Sequence, residues 1–159
     1  METQYNNMSP ASFLKQANTI FFALLAGMVI VGGMMYMMEP GKSFDFDFRN
    51  PLLILMVTLM IAGIFASNFL YHSFRNRIEL KDPLSVKITK IRQALIIRFA
   101  LIEGPAMSGV IFYMMEYNLA FLMLSALIVF YFVTLKPSKD KLMDDMNLTS
   151  EEKREFEKI

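Results

Sequence analysis

A single carboxyl group inside an apolar segment is the feature of this sequence with the clearest chemistry. Glu103 lies within the apolar run 94–115 and is followed at once by Gly104 and Pro105. Counted inward from Gln93 at about 1.5 Å per residue, it is about 15 Å deep, half of a roughly 30 Å hydrocarbon core. An ionisable side chain at that depth is costly, so it is a functional-site hypothesis by default.

The residues around this carboxyl group leave two chemical hypotheses open. Gly104 and Pro105 predict a local kink in the helix beside Glu103. Pro105 has no N–H, so the carbonyl of Leu101 loses its helical donor and is free for a cation, water or hydroxyl group. Glu103 and this carbonyl could therefore handle a proton or a cation, or Glu103 could be hydrogen-bonded and hold helices or subunits together. The candidate side-chain partners are Ser125, at a similar depth, then Ser108 and Asn68. Arg98, five residues away, is about 140° around the helix and does not share the face of Glu103.

Four apolar windows are candidates to position these side chains. They are residues 19–38, 51–74, 94–115 and 118–135, and each approaches the roughly 20 residues that a spanning helix needs. The sequence therefore predicts an all-α fold, a polytopic four-helix membrane bundle over residues 1–136. Proline follows a capping residue at Ser9-Pro10, Asn50-Pro51 and Asp82-Pro83, which predicts three helix starts.

The distribution of basic residues predicts the orientation in the membrane. Residues 75–92 contain six basic and two acidic side chains, and three lysines follow the fourth window at positions 136, 139 and 141. Basic loops stay in the cytoplasm, so we expect a multi-pass protein of the inner (plasma) membrane with both termini cytoplasmic.

Residues 137–159 form a polar tail, expected on the cytoplasmic side. Thr149 and Glu152 have the spacing of a capping box, which predicts a short terminal helix. The sparse apolar residues of the tail favour a solvated segment over a docked one.

The first and third windows resemble each other. A shift of 77 residues aligns residues 16–39 with 93–116, with 12 identities in 24 positions. This predicts two parallel helical-hairpin repeats related by an axis along the membrane normal. Glu103 aligns with Ala26, so the carboxyl group belongs to the second copy alone.

Pairs of small residues four positions apart predict the faces on which the helices pack. They are Ala23 with Gly27, Ala62 with Ala66, and Gly104 with Ser108. Their recurrence in three helices predicts a tight bundle and is compatible with a homo-oligomer.

Composition removes several classes of function. The chain has no cysteine and one histidine, so thiolate and multi-histidine metal sites within one chain are excluded. No catalytic or nucleotide-binding motif is present, and the net charge of +1 gives no case for nucleic acid. We therefore expect no enzyme, cofactor or metal. The leading hypothesis is an accessory or scaffold subunit that contacts the lipid bilayer and either oligomerises or binds a membrane protein. The alternative is a proton- or cation-coupled transport component that uses Glu103.

Residues 90–104 resemble the ion-carrying helix of rotary ATP synthase c subunits and V-type proteolipids. The shared features are a basic loop, an apolar helix that runs outward, and a carboxyl group in the context Ala100-Leu101-Ile102-Glu103. The resemblance covers about 25 residues and implies that Glu103 carries a proton or sodium ion. Residues 52–74 lack the repeated glycines with which the partner helix of those proteins packs into a ring.

Overall fold

The structure is a computed structural model that describes residues 9–38 and 43–157, apart from the side chains of Glu155 and Glu157. Of these residues 81% are helical, and none belongs to a strand. The elements are α1 (Pro10–Met38), α2 (Pro51–Arg75), α3 (Leu84–Glu116), α4 (Leu119–Thr134), α5 (Lys139–Asp145) and α6 (Ser150–Glu157). The predicted all-α class is confirmed.

Two of the three predicted helix starts have side-chain caps. Ser9 Oγ accepts a hydrogen bond from the backbone N–H of Ser12 at 3.3 Å. Asn50 Oδ1 accepts from the N–H of Leu52 at 2.8 Å. In both helices proline follows the cap, where its missing N–H costs nothing. Local sequence therefore determines where α1 and α2 begin.

The third predicted cap is wrong, although α3 begins where it was expected. Pro83 occupies the capping position and makes no side-chain bond to the helix. The Asp82 carboxylate instead accepts from the backbone N–H of Glu79 at 2.9 Å and from Lys90 Nζ at 2.8 Å. The hydrogen bond from the Lys90 ammonium group, and to a smaller extent that from Glu79, holds the pKa of Asp82 below its ordinary value. Asp82 thus fastens the loop to the first turns of α3.

The central element of the fold is α3. It packs along α2, forms an antiparallel hairpin with α4, and contacts α1 on a further side. In contrast, α1 and α2 flank α3 and scarcely touch each other. The first two helices therefore do not pack as the second two do, and the predicted repeat remains an observation of the sequence.

The closest helix contacts are made at two glycines that the small-residue pattern did not single out. A Cβ on Gly63 of α2 would lie 2.7 Å from both the Leu101 carbonyl oxygen and the Pro105 ring. A Cβ on Gly109 of α3 would collide with Ser125 of α4 and lie 3.0 Å from the Phe121 carbonyl oxygen. At Gly63 the backbone of α3 occupies the space of a side chain, and at Gly109 the Ser125 and Met56 side chains occupy it, so glycine fits best at both positions.

The small residues predicted to pack lie mostly on outer surfaces of this single chain. Ala23, Gly27, Ala62 and Gly104 are exposed, whereas Ala66 and Ser108 are partly buried. A Cβ on Gly27 or Gly104 would meet no atom within 4 Å. Within one chain the closest contacts are made by other small residues, because the helices are rotated so that those face inward. Packing of the predicted pairs between chains stays a prediction.

Three helices are long and apolar enough to cross a membrane: α1, α2 and α3, with mean hydropathies of 2.2, 2.2 and 1.6. The fourth window gives a helix of only 16 residues, α4, which is followed by α5 after a bend of 76°. The count becomes four if this bent pair forms one span.

The tail does not extend into solvent, contrary to the expectation from its composition. Leu142, Met146, Leu148 and Phe156 are all buried. The predicted capping box is confirmed, since the N–H of Thr149 donates to Glu152 Oε2 at 2.8 Å. These four apolar residues belong to the buried core, so the tail is folded back onto the bundle.

Candidate functional site

Glu103 lies on the side of α3 that faces away from the other helices. Ala100, Gly104 and Ile111 are exposed, and Met107 is partly buried. Ala100, Met107 and Ile111 are three, four and eight positions from Glu103, and Gly104 follows it directly. At these spacings all four residues lie on the same side of the helix as Glu103. The carboxyl-bearing side chain is itself only partly buried. We call Ala100, Glu103, Gly104, Met107 and Ile111 the Glu103 face.

Among the described residues, Glu103 has no hydrogen bond or ion pair. The hydroxyl group of Ser125 on α4 donates to the carbonyl oxygen of Ala106 at 2.9 Å. The hydroxyl group of Ser108 donates to the carbonyl oxygen of Gly104 at 2.9 Å. Both candidate partners thus satisfy backbone carbonyls of α3, and neither is bonded to the carboxyl group.

The carbonyl that Pro105 frees is in contact with α2. Gly63 approaches both the Leu101 oxygen and the proline ring, and α3 continues through Pro105 without a break. Glu103 is two residues from Leu101 and from Pro105, about 160° away around the helix. On a regular helix Glu103 and this carbonyl therefore face different sides, and the ion site formed by the two stays a prediction.

Asn68 belongs to a different polar group, which the sequence analysis did not find. Its Oδ1 accepts from Arg98 at 2.8 Å, and its Nδ2 donates to the Tyr131 hydroxyl at 2.7 Å. The Arg98 guanidinium also lies 4.3 Å from the centre of the Tyr71 ring, within the range of a cation–π contact. We call Asn68, Tyr71, Arg98 and Tyr131 the Arg98 cluster. It binds α2, α3 and α4 together.

The Arg98 cluster continues into the tail. The Tyr71 hydroxyl donates to the carboxylate of Asp145 at the end of α5. The other oxygen of this carboxylate lies 2.9 Å from Arg75 Nε. Asn68 and Tyr71 are three residues apart on α2, a spacing that could have indicated a shared face. Their partners come from three other elements, and single-helix periodicity does not show which.

A second charged contact fixes the tail to α3. Lys87 Nζ lies 2.8 Å from Glu152 Oε2 and donates to the carbonyl oxygen of Asn147 at 3.1 Å. The Lys87 side chain is fully buried. Burial alone raises the pKa of Glu152, but the hydrogen bonds from Lys87 and Thr149 outweigh it and hold the pKa below its ordinary value.

Comparison with protein-family models, curated proteins and solved structures found no match. The resemblance of residues 90–104 to c subunits stays a prediction.

Glu103 and Arg98 differ in whether they have partners within the described chain. Arg98 has two partners on α2, a hydrogen bond to Asn68 and a cation–π contact with Tyr71. Glu103 has none within the described chain and lies in a helix apolar enough to span a membrane. A carboxyl group in that position can accept or donate a hydrogen bond to something outside this chain.

Proposed function

We propose that this chain is a non-enzymatic, multi-pass subunit of the inner membrane that associates with a second copy of itself through the Glu103 face. The observation that carries the proposal is the carboxyl group of Glu103, which lies at about mid-membrane depth and has no partner among the residues that the structure describes. Insertion measurements give a free-energy cost of roughly 2.5–3.5 kcal/mol for a charged side chain at that depth. A partner that shares its proton would offset part of this cost.

A second copy meets that requirement by symmetry. In a parallel two-fold dimer each residue near the axis faces its own equivalent at the same depth. Two protonated carboxyl groups can then each donate one hydrogen bond and accept one. Interhelical hydrogen bonds in membranes average about 0.6 kcal/mol and reach about 1.7, so the contact needs good packing as well.

Small residues of the Glu103 face would supply that packing. Ala100 and Gly104 are four residues apart, are both exposed, and lie one turn from each other beside Glu103. Small residues at this spacing allow two helix backbones to approach closely. The positions that do not pack inside the chain are therefore suited to packing between chains.

The orientation in this proposal follows from the basic residues. The six basic side chains of residues 75–92 and the lysines after α4 lie on the same side as both termini if the chain crosses four times. The positive-inside rule assigns that side to the cytoplasm.

The absence of cysteine permits a direct test by disulfide cross-linking in membranes. Ala100→Cys and Gly104→Cys introduce single thiols on the Glu103 face, and Leu127→Cys is the control. Leu127 is exposed on α4 and lies at a comparable depth, about 13 Å from Lys136 at the helical rise. We expect oxidation to give a dimer for at least one Glu103-face variant and not for the control. Two variants that remain monomeric would contradict the proposal.

The unpartnered carboxyl group also supports a second function, proton- or cation-coupled transport. A carrier must exchange its ion, and a partly exposed acid without internal bonds is accessible for that. Slow carbodiimide labelling of Glu103 that one ion species blocks would favour transport. Unchanged ion flux and growth with Glu103→Gln would exclude transport through Glu103, since an amide cannot carry a proton or balance a cation.

A further inference from the structure

An apolar cleft lies between α1 and α4. Its volume is about 560 Å³, and α3 forms its floor through Ala106 and Val110. Val29 of α1 and Phe130 of α4 line it and are 55% and 72% exposed. The cleft is therefore open sideways, toward the lipid that would surround the helices.

The cleft arises because α1 leaves α4 as it runs away from the termini. Near the start of α1, Phe21 stacks on Phe132 of α4 with ring centres 4.9 Å apart, and Phe99 of α3 packs against both. Farther along, α1 presents Gly32 and Gly33 to the cleft. With no side chain there to reach α4, the space between the helices stays unfilled.

A basic residue marks the end of the cleft on the side of the termini. Lys136 Nζ lies 5.4 Å from the centre of the Phe22 ring. Lys136 follows the cleft residue Val133 by three positions, and Phe22 precedes the cleft residue Leu25 by three. The ammonium group is therefore about one helical turn beyond the apolar lining. A second cavity adjoins Lys136 and is also lined by the basic residues Lys141 and Arg98 and by one acidic residue, Asp145.

We infer that this cleft binds one acyl chain of an anionic phospholipid whose phosphate contacts Lys136. The cleft extends over twelve residues of α1, from Leu25 to Tyr36, or about 18 Å of helix. One leaflet provides about 15 Å of hydrocarbon, so an acyl chain matches the length. The phosphate would lie where the lining changes from apolar to basic.

The lining favours an acyl chain as the occupant. Apart from Tyr36 and Ser125, whose hydroxyl group donates to the Ala106 carbonyl oxygen, the cleft residues are apolar. Basic residues near the end of transmembrane helices on the cytoplasmic side are the usual contacts of anionic headgroups.

The experiment uses the full-length protein in detergent and native mass spectrometry with phosphatidylglycerol or phosphatidylcholine added. We expect one retained phosphatidylglycerol and weaker retention of phosphatidylcholine. Lys136→Gln should lower the preference for phosphatidylglycerol about fivefold, the effect of one basic residue at an anionic surface, and Lys136→Arg should restore it. Lys153→Gln, an exposed tail lysine, is the matched control and should change nothing.

A cleft-filling variant separates this site from general lipid adhesion. Ala126 lines the cleft on α4 and is exposed, so Ala126→Phe should block the acyl chain and reduce retention of both lipids, with unchanged helix content by circular dichroism. Equal retention by Ala126→Phe and the unaltered chain, or a preference insensitive to Lys136→Gln, would overturn the inference. Loss of dimer mass with Ala126→Phe, without loss of lipid, would instead assign the cleft to a second copy.

Discussion

Glu152→Ala is predicted to detach the tail from the bundle. Glu152 makes the ion pair with Lys87, whose side chain is 0% exposed, and it also accepts the capping bond from Thr149. Removing one member of a buried pair costs about 3–5 kcal/mol, because the remaining charge is left uncompensated. At about 1.4 kcal/mol per tenfold change, the open form of the tail should become roughly a hundredfold to a few thousandfold more populated.

Hydrogen exchange measured by mass spectrometry over residues 139–157 reports this opening. Protection of α5 and α6 should fall, while the spans of α1 to α3 remain protected. Glu151→Gln is the control, since Glu151 is exposed in the same turn of α6. Combining Lys87→Met with Glu152→Leu should regain protection, because well-packed apolar residues often replace a buried ion pair without loss. Unchanged exchange in Glu152→Ala would refute the reasoning.

The remaining predictions concern pH and packing. The pKa of Glu152 is lowered from 4.5, so its contribution to tail docking should be complete above pH 4.5 and lost as pH falls through the lowered value, visible as faster tail exchange. Gly109→Ala should lower the thermal midpoint, at a cost of about 1–3 kcal/mol for overpacking against Ser125, while Gly27→Ala should not, since nothing lies near its Cβ. Asn68→Leu should also lower the midpoint, because it removes the acceptor of Arg98; an unchanged midpoint would mean that the Arg98 cluster does not stabilise the bundle.

Helix starts could be predicted from the sequence because their causes are local. Ser9 and Asn50 cap the turns that follow them, and the capping box at Thr149 and Glu152 needs only four residues. Each interaction is encoded within one turn of chain. The all-α class follows equally from the long apolar runs.

Partners between helices could not be predicted because they depend on how each helix is rotated about its axis. Depth placed Ser125 level with Glu103, yet its hydroxyl group is turned to the Ala106 carbonyl. The same rotation brings Gly63, rather than Ala62, against α3. Depth in the membrane can be counted along one helix, whereas a contact depends on the rotation of both helices that form it.

The docked tail was missed for a different reason. Composition averages over residues 137–157, which are mostly polar, but folding needs only that a few apolar residues reach one surface. Leu142, Met146 and Phe156 reach it, and Lys87 supplies a buried charge for Glu152. That lysine lies 65 residues away from its partner, beyond any local pattern.

The mass of the detergent-solubilised protein, measured by analytical ultracentrifugation, tests the central claim most directly. We expect a species of twice the 18.3 kDa chain mass for the unaltered chain and for Glu103→Gln, whose amide can also donate and accept a hydrogen bond. Glu103→Leu should shift the population toward the monomer. A monomer for the unaltered chain, or a dimer that Glu103→Leu leaves intact, would contradict the claim that Glu103 pairs between chains.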